Sequence, residues 1–163
     1  YKMGCVNSVN RALTNSTMLN TPTFILPKKK MKCKVLKVYD GDTIWVSILL
    51  YNSLTKFSCR MIGYDSPEMK PPLAQANRDS EKAAAIRARD FLSELILNKI
   101  VEIQFGKFDK YGRPLCSIYI PDPDSNRIVC KNKICVNTLM VRKGHGYEYL
   151  GGRKKTFTSP SKI

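Results

Sequence analysis

Val38-Tyr39-Asp40-Gly41-Asp42-Thr43-Ile44-Trp45-Val46-Ser47-Ile48-Leu49-Leu50 reads as a strand, a tight turn and a second strand. Two runs rich in β-branched and aromatic residues flank Asp40-Gly41-Asp42, whose residue types favour a turn. Working outward, the strand pattern begins at Met31 and continues through Val35, Leu36 and Val38. Tyr51-Asn52-Ser53-Leu54 is the next turn, and Lys56 to Ile62 a third strand. Val101–Phe105 and Leu115–Ile120 add two more. Pro67, Pro71 and Pro72 exclude regular structure from Asp65 to Leu73. A helix follows, capped by Asp79 or Ser80, with Ala84, Ala88, Phe91, Leu92 and Leu95 at helical spacing. Pro121-Asp122-Pro123-Asp124-Ser125-Asn126 is a loop, and Val136–Arg142 a short helix stopped by Gly144. This order predicts an α+β fold: a five-stranded Greek-key β-barrel of the OB type with two packed helices. Other α+β sheets share the same element order.

The chain has 163 residues, enough for one domain with tails. Hydrophobic residues at 43% and charged residues at 25% exclude a disordered or collagen-like chain. No apolar run approaches the roughly 18 residues of a membrane span. Lys and Arg outnumber Asp and Glu by 28 to 13, a net charge of +15. Residues 1–30 carry five cations and no acid, and residues 153–163 four cations and no acid. The ends therefore read as basic, flexible tails around a domain at 31–152. Such ends favour polyanions, either nucleic acid or an anionic membrane surface. For tails alone, simple solubility is an equal reading.

Residues 1–30 are rich in Asn, Ser and Thr and end in Pro27-Lys28-Lys29-Lys30. They read as an arm, part-ordered where Phe24 and Leu26 find a groove. Within it, Met3-Gly4-Cys5-Val6-Asn7-Ser8 fits the N-myristoylation pattern at Gly4, with Cys5 placed for a palmitate. Two acyl chains make a stable anchor where one does not. The pattern requires Gly4 at the true N-terminus, and Tyr1-Lys2 stand before it; otherwise the segment is an inert polar tail. No signal-peptide core is present, since Phe24-Ile25-Leu26 is too short. The sequence leaves the location open: it is cytoplasmic or membrane-anchored if Gly4 is the true N-terminus. The six cysteines, at 5, 33, 59, 116, 130 and 135, form no CxxC pair, and His145 is the only histidine. That spacing disfavours zinc. Cys130 and Cys135 are a disulfide in an oxidising compartment or free thiols otherwise.

Three segments gather charge at strand ends: Asp40-Gly41-Asp42-Thr43, Arg60 through Glu68, and Asp109-Lys110-Tyr111-Gly112-Arg113. Two carboxylates from different loops, with a backbone carbonyl and water, suit a hard cation such as Ca²⁺. Two arginines clamp a phosphate through paired N–H donors. A further carboxylate off the metal can deprotonate water. Together these are the parts of a phosphodiester hydrolase. Singly, each motif reads as well as an ordinary turn, helix lead-in or surface ion pair.

The combination closely resembles the staphylococcal (thermonuclease) nuclease family over roughly residues 32–150, with Val141-Arg142-Lys143-Gly144 as a weaker fourth match. The resemblance implies an OB-fold enzyme that cuts DNA and RNA with Ca²⁺, leaving 3′-phosphates. It implies Asp42 and Asp65 as side-chain ligands of Ca²⁺, the Ser66 backbone carbonyl as a third, and Asp40 in the outer shell. It implies Glu68 as general base through water, and Arg60 and Arg113 as the phosphate clamp. Lys110 and Tyr111 would touch a terminal phosphate or nucleotide. A stacking tyrosine of the family falls at Leu150, with Tyr147 and Tyr149 nearby, and the family's third, C-terminal helix has no counterpart. The residues 121–135 form a longer connection than a simple hairpin. The expected partner is DNA or RNA, single strands favoured, and the default state a monomer. The competing reading is a non-catalytic OB-fold module that binds nucleic acid, whose burden is to explain three carboxylates facing a polyanion.

Overall fold

The computed structural model describes residues 3–122 and 133–152. Strands β1 (Met31–Val38), β2 (Thr43–Leu50) and β3 (Ser53–Met61) form an antiparallel meander. Strands β2 and β3 turn through Tyr51 and Asn52 alone, with φ of 49° and 62°. Such a two-residue turn matches the twist of the strands it joins, so Ser53 and Leu54 belong to β3 rather than to the turn. A three-residue strand β4 (Gly63–Asp65) follows at once. The chain then crosses to α2 (Arg78–Ile96) and returns through β5 (Ile100–Phe108) and β6 (Pro114–Pro121). Strand order is β3-β2-β1-β5-β6, and β3 pairs with β6 in parallel at Arg60↔Leu115 and Met61↔Cys116. That pairing closes a five-stranded barrel, as the OB-type expectation requires.

The barrel interior is filled by alternate residues of each strand: Val35, Ile44, Val46, Ile48, Ile103 and Ile118 are fully buried. Helix α2 covers one side with Ala85, Ala88, Leu92 and Ile96, spaced for one helical face. It starts at Arg78 after an Asn77 cap, two or three residues before the expected cap at Asp79 or Ser80. The second packed helix, α3, spans Val136–Arg142 as read from sequence. Its buried Asn137 accepts the Ile118 N–H at 3.0 Å and donates to the carbonyls of Ile62 and Cys116 at 2.8 and 3.0 Å. One amide thereby ties α3 to the seam where β3 meets β6.

The arm expected over residues 1–30 is ordered at Phe24 and Leu26 as read, and it also carries a helix that the polar composition did not suggest. This third helix, α1, spans Met3–Thr14, and its Val6, Val9 and Leu13 have helical spacing. Val9 and Leu13 stay exposed. Leu26, by contrast, is buried in the core, and the Phe24 ring lies 6.3 Å from that of Phe108. The segment is thus docked on the barrel. Two further short strands escaped the sequence reading. β7 (Lys133–Cys135) pairs with β6, and β8 (Tyr147–Tyr149) pairs with β4. Cys33, Cys59, Cys116 and Cys135 are free thiols, the first three buried. Cys130, most of the 121–135 connection and the basic 153–163 tail lie outside the described residues. No described helix is long and apolar enough to cross a membrane.

Candidate active site

Strands β1, β2, β3, β5 and β6 bring one set of ends to the same side of the barrel. A cavity of about 330 Å³ opens there, lined by Asp40, Asp42, Arg60, Glu68, Tyr111 and Arg113, with Thr43, Ser66 and Pro67 between them. Asp65 lies behind this lining, and Lys110 beside it with its Nζ 4.9 Å from the Tyr111 ring centre. Seven of the nine residues picked from sequence therefore share one cavity. Gly4 and Cys5 fall in the first turn of α1.

Arg60 is the hub. Its Nη1 donates to Asp42 Oδ1 at 3.1 Å, and its Nη2 lies 3.0 Å from Asp42 Oδ2 while also donating to Asp65 Oδ1. Asp42 is further held by the Ser66 N–H at 3.1 Å and the Thr43 hydroxyl at 3.0 Å. Burial pushes the Asp42 carboxyl up to about 7; Asp40 adds to the lift and Arg60 opposes it. Burial also works against the Arg60 charge, but Asp42 and Asp65 more than offset it, so the guanidinium stays protonated. The result is a buried cluster in which acids outnumber the cation that serves them.

The second arginine is built differently. Asp109 Oδ1 accepts the N–H groups of Tyr111 and Arg113, both at 2.9 Å, and Oδ2 accepts Arg113 Nε–H at 2.8 Å. Burial alone would raise the Asp109 pKa, but these hydrogen bonds lower it, so the carboxylate stays charged. This Asx-type turn, with Gly112 at φ +76°, fixes Arg113 at the tip of the β5–β6 hairpin. Its Nη1 reaches to 3.5 Å from Thr43 Oγ1, across the cavity mouth. Glu68 is exposed, but its backbone N–H donates to Glu81 Oε1 at 3.0 Å, and Gln75 donates to Glu81 Oε2. Glu81, a buried acid in the first turn of α2, thereby anchors the loop that carries Glu68.

Three contributors escaped the sequence reading. Tyr64 donates its hydroxyl to the Gly41 carbonyl at 2.6 Å and so clamps the Asp40–Asp42 turn from inside the barrel. Tyr147 donates to Asp65 Oδ2 at 2.8 Å rather than presenting a stacking ring. Burial first, then Asp65, raises its pKa and keeps it a donor. Glu81 has the signature of a first-turn helix acid and nothing more. Tyr149 donates to the Gly152 carbonyl at 2.7 Å, and Leu150 is exposed.

Gly41 is required by packing. A Cβ there would stand 2.7 Å from Ser66 Cβ and 2.9 Å from Ala88 Cβ, both fixed to backbone. Gly41→Ala is expected to cost about 1–3 kcal/mol of stability and to lower cleavage roughly 100-fold by moving Asp40 and Asp42. Gly106→Ala, whose Cβ would meet Leu115 at an ordinary 3.6 Å, is the control. Urea melts and cleavage rates of the two variants check this; a wild-type Gly41→Ala would refute the packing account.

A closed OB-type barrel with carboxylates and two arginines at one strand-end cavity defines an acid–arginine site of the kind that handles phosphodiesters. The chain belongs to the staphylococcal nuclease homologue family, whose family model matches residues 58–159. The match takes in Arg60, Asp65, Ser66, Glu68 and Asp109 to Arg113, and begins after the Asp40-Gly41-Asp42 turn. Two proteins, one from Escherichia coli O157:H7 and one from Escherichia coli, are each 29% identical to it over 116 residues. Both carry the name uncharacterized endonuclease. The matches cover 71% of this chain, which spans about 60% of the length of these curated relatives. Among the described residues, no group of three or more His, Cys, Asp or Glu side chains converges as a ready-made metal cage.

Proposed function

We propose that this protein is a Ca²⁺-dependent phosphodiesterase that hydrolyses DNA and RNA, favours single strands and leaves 3′-phosphate ends. One observation carries the reading: Arg60, Arg113, Asp40, Asp42 and Glu68 face a single cavity at the strand ends. Arg60 and Arg113 clamp the non-bridging oxygens of the scissile phosphate through paired N–H donors. Both guanidiniums are already fixed by carboxylates, so little reorganisation remains when charge builds on phosphorus. Glu68 takes a proton from water, whose oxygen bonds to phosphorus as the P–O5′ bond breaks, and the departing O5′ takes a proton from solvent. Lys110 and Tyr111 contact a neighbouring phosphate or nucleotide.

The donor chemistry fits Ca²⁺. Asp42 and Asp65 are buried and close enough to share one guanidinium nitrogen, so two carboxylates face a single cation there. Their side chains and the Ser66 backbone carbonyl would hold the ion, with Asp40 in the outer shell and water completing a hard oxygen set. When bound, the ion supplies positive charge for the phosphoryl oxygens and offsets the acids that would repel a polyanion.

Ca²⁺ at about 100 times its Kd should stabilise the fold by about 2.7 kcal/mol, a rise in Tm of roughly 5–10 °C. Asp42→Asn should abolish that shift. The 3′ ends of digested single-stranded DNA should resist polymerase extension until treated with a phosphatase. An equal shift in Asp42→Asn would remove the proposed ligand, and directly extendable ends would contradict the bond assignment.

A further inference from the structure

The cavity is continuous with one face of the sheet. Residues opposite one another in register share a face. Thr43 pairs with Arg60; Trp45 pairs with Ser58 on one side and Lys37 on the other; Ser47 pairs with Lys56 and Lys34. Alternation along β2 turns Ile44, Val46 and Ile48 into the core, which places Thr43, Trp45 and Ser47 together on the outer face. Thr43 and Arg60 line the cavity. Trp45 is two residues away along β2, about 7 Å, and Lys56 four residues from Arg60, about 13 Å.

The chemistry of this face is unusual for an exterior sheet. Trp45 is the only tryptophan in the chain, and it is half-buried outside the core rather than within it. Lys56 Nζ stands 5.3 Å from its ring centre. Tyr39, more than half exposed at 56%, lies beside the Asp40–Asp42 turn with Lys37 Nζ 5.7 Å from its ring. Lys34, Lys37 and Lys56 are all exposed, and among the described residues no carboxylate pairs with them. Aromatic rings interleaved with unpaired cations suit a strand with a charged backbone and open base faces. A duplex hides its base faces in the stack, so the match is to a single strand.

We propose that the outer face of β1–β2–β3 is a track for single-stranded nucleic acid. On it a base stacks on Trp45 and another on Tyr39, and Lys37 and Lys56 neutralise phosphates. The track would lead the strand to Arg60 and Arg113, and in that respect it rests on the nuclease reading. It adds a site for flanking nucleotides that the cavity itself does not supply.

Because Trp45 is the sole tryptophan, its fluorescence reports the track directly. The full chain is titrated with a 12-nucleotide oligothymidylate in excess chelator, with thymidine 5′-monophosphate as the short control. The oligonucleotide should quench the emission and the mononucleotide should not. Trp45→Leu should weaken oligonucleotide binding, read by anisotropy of a labelled strand, roughly ten-fold or more. The Lys37→Gln/Lys56→Gln double variant leaves the ring and the core in place. It should lower the slope of log K against log salt by about 1.4, or 0.7 for each phosphate released. Cleavage of the strand with unquenched Trp45 and an unchanged salt slope would overturn the track and leave the nuclease reading standing. Quenching without cleavage would support the track while the nuclease reading fails. Neither quenching nor cleavage would overturn both.

Discussion

Arg60→Ala and Arg113→Ala should each lower cleavage by about 1,000-fold or more, yet only Arg60→Ala should also cost substantial stability. The two arginines are alike in the proposed chemistry and unlike in the fold. The Arg60 side chain is 18% exposed and faces Asp42 and Asp65, themselves 4% and 1% exposed. Removing it takes the counter-charge from two buried carboxylates, to which Thr43, Ser66 and Tyr147 offer only neutral donors, a loss of roughly 3 kcal/mol or more. Arg113 sits on a hairpin tip and pairs with one carboxylate, Asp109, which keeps two backbone N–H donors when the guanidinium goes. Its loss should move the Tm little. Single-turnover rates beside thermal melts separate the two effects. Near-normal cutting by either variant would refute the phosphate clamp. A shared, unchanged stability would refute the role of Arg60 as the counter-charge of the buried acids.

Glu68→Gln should lower the cleavage rate by about 10²–10⁴-fold, the range for loss of a general base, while leaving fold and Ca²⁺ binding intact. The glutamate is exposed at the cavity edge, and the structure gives its loop a support that does not use its carboxylate. That support runs from the Glu68 backbone N–H to Glu81, which Gln75 holds in turn. An amide in place of the carboxylate keeps this backbone anchor and removes the capacity to accept a proton. The Ca²⁺-induced Tm rise should therefore persist in Glu68→Gln and vanish in Asp42→Asn. A variant that loses the rise as well would place Glu68 among the metal ligands.

The barrel was legible wherever local pattern and tertiary fate agreed. Thr43–Leu50 alternates core and surface residues in a run of β-formers, and the strand is found with the bounds it was given. The missed strands, Gly63–Asp65, Lys133–Cys135 and Tyr147–Tyr149, are three residues each. No periodicity fits in three residues; their pairing partners across the fold create them. α1 escaped because Val6, Val9 and Leu13 span barely two helical turns, too short a stripe to read as periodicity in an Asn- and Ser-rich segment. The candidate site was readable as motif: Asp40, Asp42, Ser66, Glu68, Tyr111 and both arginines meet in one cavity. Its supports were not. Tyr147 reaches Asp65 across 82 positions and Tyr64 reaches Gly41 across 23, distances over which a sequence holds no spacing to read. Glu81 resembles any acid at a helix start, and its service to Glu68 follows only from the packing of the intervening proline-rich loop.

The central claim is that the strand-end cavity hydrolyses nucleic acid with Ca²⁺, using Glu68 as the base. It is tested most directly by end-labelled single-stranded DNA incubated with the full chain in Ca²⁺, in a calcium chelator, and with Glu68→Gln in Ca²⁺. The account predicts rapid degradation in the first case, none in the second and a collapse of the rate in the third. Intact DNA under all three conditions, with a retained protein–DNA complex, would contradict it and leave a binding module.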